Sequence, residues 1–302
     1  MLLIRRGFVH RLNGEAPQTA DVLIDGGRIA AVSETAVECP DAEVLDASAL
    51  HLCPAMIDMH VHPADGADDE EMLRMMNSAG LSAVLQCARS GQAARLLPAC
   101  GMRRPPLYGA WQDVRIKGKL HAMMAQAAAD GVPLLAEIRS PAAAVQALTL
   151  SALTGAALIP VHLTGCEDMA GELAASVRGV VLDGGPGRKD PYDFAVRLTR
   201  LGVRVAMTTD YPTARLANLI AIAGLCCRAG MTAQEALSTV SSIPALLLGL
   251  TEQGTLAPGM IADIALFDGD PLRLSSECVG LIRRGRICRK ANEKPAAAGF
   301  VR

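Results

Sequence analysis

Pro54-Ala-Met-Ile-Asp-Met-His-Val-His-Pro63 sets two histidines, His60 and His62, two residues apart on a short apolar strand. Side chains alternate across a strand, so residues two apart share a face, and two imidazoles at that spacing can grip one metal ion from a rigid backbone. A metal at a strand end points to hydrolytic chemistry. The same spacing also fits two histidines that merely flank Val61 at a half-buried edge, so the rest of the chain has to decide.

The 302 residues and 51% hydrophobic content suit one large α/β unit with a small appendage and a sizeable core. A net charge of −2 supplies neither a basic field for nucleic acid nor an acidic tail. The expected partner is therefore a small-molecule substrate, with no nucleic acid and no membrane, and a homo-oligomer is left open. Met1-Leu-Leu-Ile-Arg-Arg-Gly7 is too short in apolar residues for a signal peptide, and no apolar run reaches spanning length, so a cytoplasmic location is expected. Nine cysteines without paired spacing read as reduced core residues, the adjacent Cys226-Cys227 included.

Up to about Leu52 the chain reads as short strands broken by turns, with Asp25-Gly26-Gly27 as a hairpin signal, and the stretch after Gly254 reads the same way. Neither set has enough strands to bury a face alone, which predicts that residues 1–52 and 254–302 pack together. The middle, residues 53–253, alternates strand and helix and predicts a parallel sheet with helical crossovers. Seven strands are legible: Ile57 to His62, Leu81 to Cys87, Leu107 to Gln112, Pro133 to Arg139, Leu158 to Leu163, Gly179 to Leu182 and Val203 to Thr208.

Several segments resemble the amidohydrolase superfamily, the dihydroorotase and imidazolonepropionase type of metal-dependent hydrolase. Glu43-Val-Leu-Asp-Ala-Ser-Ala-Leu-His-Leu-Cys-Pro54 is similar to its lead-in, and Gly202-Val-Arg-Val-Ala-Met-Thr-Thr-Asp-Tyr-Pro212 to its last barrel strand. Ala236-Leu-Ser-Thr-Val-Ser-Ser-Ile-Pro-Ala-Leu-Leu-Leu-Gly-Leu250 and Gly254-Thr-Leu-Ala-Pro-Gly-Met-Ile-Ala-Asp-Ile-Ala-Leu-Phe-Asp-Gly-Asp-Pro271 resemble its closing signature. The resemblance implies an α/β fold: a TIM-like (β/α) barrel over residues 53–253 beside a small composite β-sandwich from both termini. A full barrel has eight strands. The shortage falls between His62 and Pro133, so a contracted or distorted barrel is expected.

The resemblance also implies a ligand set: His-x-His on the first strand, a bridging lysine or acidic group, two further histidines on successive strands and a final aspartate. His60, His62, His162 and Asp210 fit it, Asp210 as both ligand and catalytic base. One histidine is absent. In Pro133-Leu-Leu-Ala-Glu-Ile-Arg-Ser140 the positions that hold histidine in imidazolonepropionase-like relatives are Ala136 and Ile138, with Arg139 retained. Glu137 faces the metal if the register slips by one and faces the outer helices if it does not. Asp113 and Cys87 are further candidate ligands; Lys117 and Lys119 sit in a polar run unsuited to burial. His10, His51 and His121 have ordinary surface or capping roles.

Arg139, Tyr211, Arg215 and the loop from Asp183 to Asp190 are candidates to bind a substrate carboxylate or phosphate. Aromatics at 3% offer no stacking platform. The expected activity is hydrolysis of a carbon–nitrogen amide bond in a small cyclic or N-acyl substrate. The expected cofactor is a divalent metal, Zn2+ best among them, one ion with two allowed. The alternative is a non-catalytic or regulatory homologue with a degenerate metal site.

Overall fold

The computed structural model describes residues 1–62, 68–87, 92–98, 106–111, 117–184 and 191–289. The first five strands are β1 (Leu2–Val9), β2 (Gln18–Asp25), β3 (Arg28–Ser33), β4 (Glu43–Asp46) and β5 (His51–Pro54). After Ala55 the chain runs directly into β6 (Met56–Val61), which is buried throughout. There follow β7 (Leu81–Gln86), β8 (Arg95–Leu97), β9 (Leu107–Trp111), β10 (Leu134–Ile138), β11 (Leu158–His162), β12 (Gly179–Asp183) and β13 (Arg204–Thr208). The chain closes with β14 (Ile264–Phe267), β15 (Cys278–Arg283) and β16 (Arg286–Arg289).

Strands from both chain ends hydrogen-bond in one eight-stranded sheet, ordered β16-β15-β14-β5-β1-β2-β3 with β4 against β1. The seam is the antiparallel pair β5 and β14, with Pro54 opposite Ile264 and His51 opposite Phe267. Ile29 N donates to Met260 O and Ala262 N to Gly27 O, both at 2.9 Å, and these bonds curl the far edge back toward the C-terminal strands. Leu2, Ile4, Val22, Ile24, Leu52, Ile264, Leu266 and Ile282 fill the space enclosed.

The middle of the chain is the TIM-like α/β layer. All seven strands read from the sequence are present, and β9 to β13 form a parallel sheet in the order β13-β12-β11-β10-β9. β6 and β7 pair in parallel. The missing place in the ring is taken by β8, a three-residue strand that runs antiparallel to β7 through Val84 opposite Leu97. Its lead-in reaches β9, since Ala94 N donates to Pro106 O and Tyr108 N to Gln92 O, each at 2.9 Å. The distortion therefore lies between His62 and Pro133, where the described residues hold the short antiparallel strand β8. Among the described residues no backbone ladder joins β13 to β6; side chains of β13 close that gap, as set out below.

Two apolar layers follow from strand alternation. Ala83, Leu85, Leu135, Ile159, Val161, Val181 and Ala206 point into the ring. Val84, Leu134, Ala136, Ile138, Leu158, Val180, Leu182 and Val205 point out against helices. The first helix, α1 (Asp69–Ala79), starts at an Asp68 cap and ends at Gly80, whose φ is 79°. A Cβ at Gly80 would also lie 2.8 Å from Cys278 Sγ, so glycine serves both the left-handed cap and the close approach of barrel to terminal sheet. Arg283 donates to the Asn77 side chain at the same junction.

Phe267 is completely buried at the seam between the two chain ends. Phe267→Ala should lower the free energy of unfolding by about 3–5 kcal/mol, the usual cost of removing a buried phenyl ring. Chemical denaturation measures this; a loss below about 1 kcal/mol would mean that the seam contributes little to holding the ends together.

Candidate metal centre

Four strands bring their carboxyl ends to one point. β6 supplies His60 and, one residue past its end, His62; β10 supplies Glu137, β11 His162, and the turn after β13 Asp210. A local irregularity aims the first pair. Asp58 pairs with Val84 and Val61 with Gln86, so β6 carries one more residue than β7 over that span, a β-bulge at Met59–His60. Ile57 and Met59 pack inside the ring, Val61 packs outside it, and the extra residue turns His60 and His62 inward. Without it, strict alternation would leave both histidines facing the helices.

Glu137 faces inward by ordinary alternation, on the same face as Leu135, while Ala136 and Ile138 face the helices. The positions that hold histidine in the resembled relatives thus lie on the wrong face here, and the carboxylate lies on the right one.

Nε2 of His60 and Nε2 of His62 are 2.9 Å apart. Glu137 Oε1 lies 3.5 Å from His60 Nε2, 3.4 Å from His62 Nε2 and 3.9 Å from His162 Nε2. Asp210 Oδ1 lies 3.5, 3.8 and 4.0 Å from the same three nitrogens. A cation bound about 2.1 Å from nitrogen and oxygen donors places neighbouring donors about 3.0–3.4 Å apart and opposite ones about 4.2 Å apart. The observed spacings fall across that range. The donor chemistry fits too, because two carboxylates in one largely buried cluster repel each other unless a cation lies between them. His60, Glu137 and His162, and likewise His60, His62 and Asp210, each bring three ligand atoms within 4.8 Å of one another and could hold such an ion.

Electrostatics keeps His60 and Glu137 in ligand form. Burial pulls the His60 imidazole down to about 4, leaving it neutral at ordinary pH, and among the described residues its Nδ1 has no hydrogen-bond partner. Burial alone would raise Glu137, but hydrogen bonding with His162, His60, His62 and Tyr108 outweighs it and holds the carboxyl well below the usual range. His62 Nδ1 donates to Cys87 O at 2.6 Å, which leaves its Nε2 lone pair for the centre. Burial lowers His162, yet its contacts with Asp183 and Glu137 prevail and raise it. His162 and Asp210 both have left-handed backbones, φ 69° and 52°, as does Leu163 at 58°. Half of the six such non-glycine residues described are at this site, where strain is held by the surrounding fold.

The other candidates are placed differently. Cys87 gives its carbonyl, not its sulfur: the thiol packs inside the ring, and burial raises its pKa well above the ordinary value, disfavouring the thiolate a metal needs. The Tyr211 hydroxyl points to Met75 Sδ at 4.0 Å, and only its backbone O meets the cluster's residues, accepting from His62 N at 2.7 Å. Arg139 is turned onto Glu137 and His162, with Nη2 3.0 Å from each, rather than held clear for a substrate carboxylate. Asp113 and residues 185–190 of the Asp183 loop lie outside the described residues. His10 and His51 face each other at 3.0 Å in the terminal sheet, and His121 is exposed on the helix Lys117–Asp130.

Asp58 and Tyr108 were not singled out in the sequence, and Asp183 was read there only as the start of a candidate anion-binding loop. Asp58 accepts from Thr208 Oγ1, from Thr209 Oγ1 at 2.6 Å, from Thr209 N at 3.1 Å and from His60 N at 3.3 Å. Thr208 Oγ1 also donates to His60 O at 2.8 Å. These bonds tie the last strand to the first. Asp183 accepts from His162 Nδ1 at 2.9 Å, and the Tyr108 hydroxyl donates to Glu137 Oε1. The available signal was a carboxylate inside an apolar strand, Met-Ile-Asp-Met and Val-Val-Leu-Asp, which has to find partners when buried.

The sequence pattern that defines the amidohydrolase family matches residues 166–289. A dihydroorotase from Streptococcus pyogenes serotype M3 is 45% identical over 62 residues, which is 20% of this chain and 14% of that enzyme. The match thus spans about a seventh of the curated relative's length. An amidohydrolase from Thermotoga maritima superposes with a TM-score of 0.83 at 19% identity, covering 96% of this chain and all of that one. Atrazine chlorohydrolase from Arthrobacter aurescens, complexed with zinc, superposes at 0.73 with 17% identity, covering 99% and 97%.

Asp58→Ala should leave buried donors on Thr208 and Thr209 unpaired, at a cost of about 1–3 kcal/mol in stability. Because the same bonds hold the first and last strands in place, metal retained after dialysis should fall as well. A variant with wild-type melting and wild-type metal content would show that the β6–β13 tie is dispensable.

Proposed function

On its likeness to the amidohydrolase family, we propose that the chain is a metal-dependent hydrolase opening the carbon–nitrogen amide bond of a small cyclic or N-acyl substrate. The observation that carries the reading is the meeting of His60, His62, Glu137 and Asp210 at donor spacings that suit one divalent cation. Zinc is the ion such a nitrogen and carboxylate set suits best, and the zinc in a structural relative supports it. When bound, the cation would acidify a water and polarise the amide carbonyl.

The chain's own residues do the rest. Burial keeps His60 neutral, hydrogen bonds keep Glu137 ionised, and the bond from His62 Nδ1 to Cys87 O orients that ring. Asp210 is the least buried of the cluster's carboxylates, with a 13% exposed side chain against 4% for Glu137, so it is the one that an entering substrate and water can reach. Its Oδ2 accepts from Thr213 Oγ1 at 3.1 Å, which fixes the carboxylate plane. Asp210 takes the proton from the attacking water and returns it to the leaving nitrogen. Asp183 fixes His162, and the rigid β6–β13 tie keeps Asp210 opposite the His-x-His pair.

Asp210→Asn keeps the shape and one oxygen donor but cannot take up the proton. It should retain most of the metal while turnover falls about a hundredfold or more. His60→Ala with His62→Ala should lose metal and activity together. Elemental analysis after chelator-free purification, with turnover on cyclic amides, N-acyl amino acids and N-acetyl amino sugars, separates the two effects. Full activity in Asp210→Asn on any substrate found would remove Asp210 as the base.

A further inference from the structure

The two oxygens of Glu137 serve different partners. Oε1 faces the His60 and His62 nitrogens and accepts from the Tyr108 hydroxyl. Oε2 accepts from Arg139 twice, from Nε at 3.2 Å and from Nη2 at 3.0 Å. The same Nη2 is 3.0 Å from His162 Nε2. A guanidinium can only donate, so that contact uses the His162 Nε2 lone pair while its Nδ1 proton goes to the Asp183 carboxylate. One lone pair serves one partner. In this arrangement Arg139 uses the His162 lone pair through which that imidazole would bind a metal.

A carboxylate that joins two cations gives one oxygen to each, and here the second cation is organic. We propose that Arg139 stands in the place of a second metal ion, between Glu137 Oε2 and His162 Nε2, and makes the centre mononuclear. The inference rests on the metal-centre reading above. Its first ion belongs to His60, His62, Glu137 Oε1 and Asp210 Oδ1. The donors that face the second position are Glu137 Oε2 and His162 Nε2, both 3.0 Å from Arg139 Nη2. A guanidinium keeps its charge at any working pH, so it repels a second ion while neutralising the carboxylate that would bind it. Its side chain is 40% exposed, which puts this position at the open side of the cluster, where an ion could otherwise arrive.

The whole chain, loaded with excess Zn2+ and dialysed, is assayed for metal per chain by elemental analysis. The wild type and Arg139→Lys, which keeps the charge, should hold one equivalent. Arg139→Gln and Arg139→Met, which remove it, should each hold two, and adding His162→Ala should return the count to one. Loading with Mn2+ should give an exchange-coupled spin pair in the Arg139→Gln protein and an isolated-ion spectrum in the wild type, a difference that loss of packing alone would not produce. Two equivalents in the wild type would overturn the proposal and leave the metal-centre reading intact. One equivalent in folded neutral variants would overturn it in the same way. No metal in the wild type would remove the metal-centre reading and this proposal with it. If the neutral variants do not fold, the wild-type count and spectrum still decide.

Discussion

Asp58 ties the first barrel strand to the last. Its carboxylate takes hydrogen bonds from both hydroxyls of Thr208 and Thr209 and from the backbone of Thr209 and His60, at a point where no backbone ladder spans the two strands. His60 lies on one side of this tie and Asp210 on the other, 150 residues apart in the chain. With the bond from His62 N to Tyr211 O at 2.7 Å, it fixes the His-x-His pair relative to the acidic residue after β13. Burial raises the pKa of Asp58, and the cost of a buried carboxyl is offset by four donors.

Aim depends on a second constraint, the count of residues along each strand. One extra residue at Met59–His60 turns two histidines into the ring; the regular alternation of β10 turns Glu137 in and Ala136 and Ile138 out. A strand has only two faces, so one added residue is enough to exchange a ligand for a packing residue. This explains how the chain can lack a histidine of the resembled pattern and still assemble a dense donor cluster. The carboxylate supplied by β10 carries negative charge that the imidazole would not, and the positive charge of Arg139 lies directly against it.

The ring itself tolerates a defect. Where a complete barrel has a helix-connected parallel strand, this chain has β8, three residues long and antiparallel. The strands that carry His60, Glu137, His162 and Asp210 lie away from that defect or in the continuous parallel sheet. A short strand loses ladder hydrogen bonds locally without moving the strand ends across the ring, since those are fixed by the pairings of β9 to β13 and by the Asp58 tie.

Local pattern made much of this readable. The seven parallel strands stood out because apolar runs of strand length alternate with helical stretches; His60 and His62 stood out by their spacing on one such run, and His162 and Asp210 through the resemblance to the amidohydrolase pattern. The antiparallel β8 did not, being three residues long with no alternation to detect. Nor could the sequence settle the face of Glu137, detect the bulge that aims His60, or show that Cys87 contributes its carbonyl and that Arg139 is bound to Glu137. Each of those depends on register between strands distant in the chain. Composition and periodicity act within a segment and so determined its secondary structure and its chemistry-bearing ends. Register, the β6–β13 tie and the partners of buried charges are set between segments, and only the packed structure decides them.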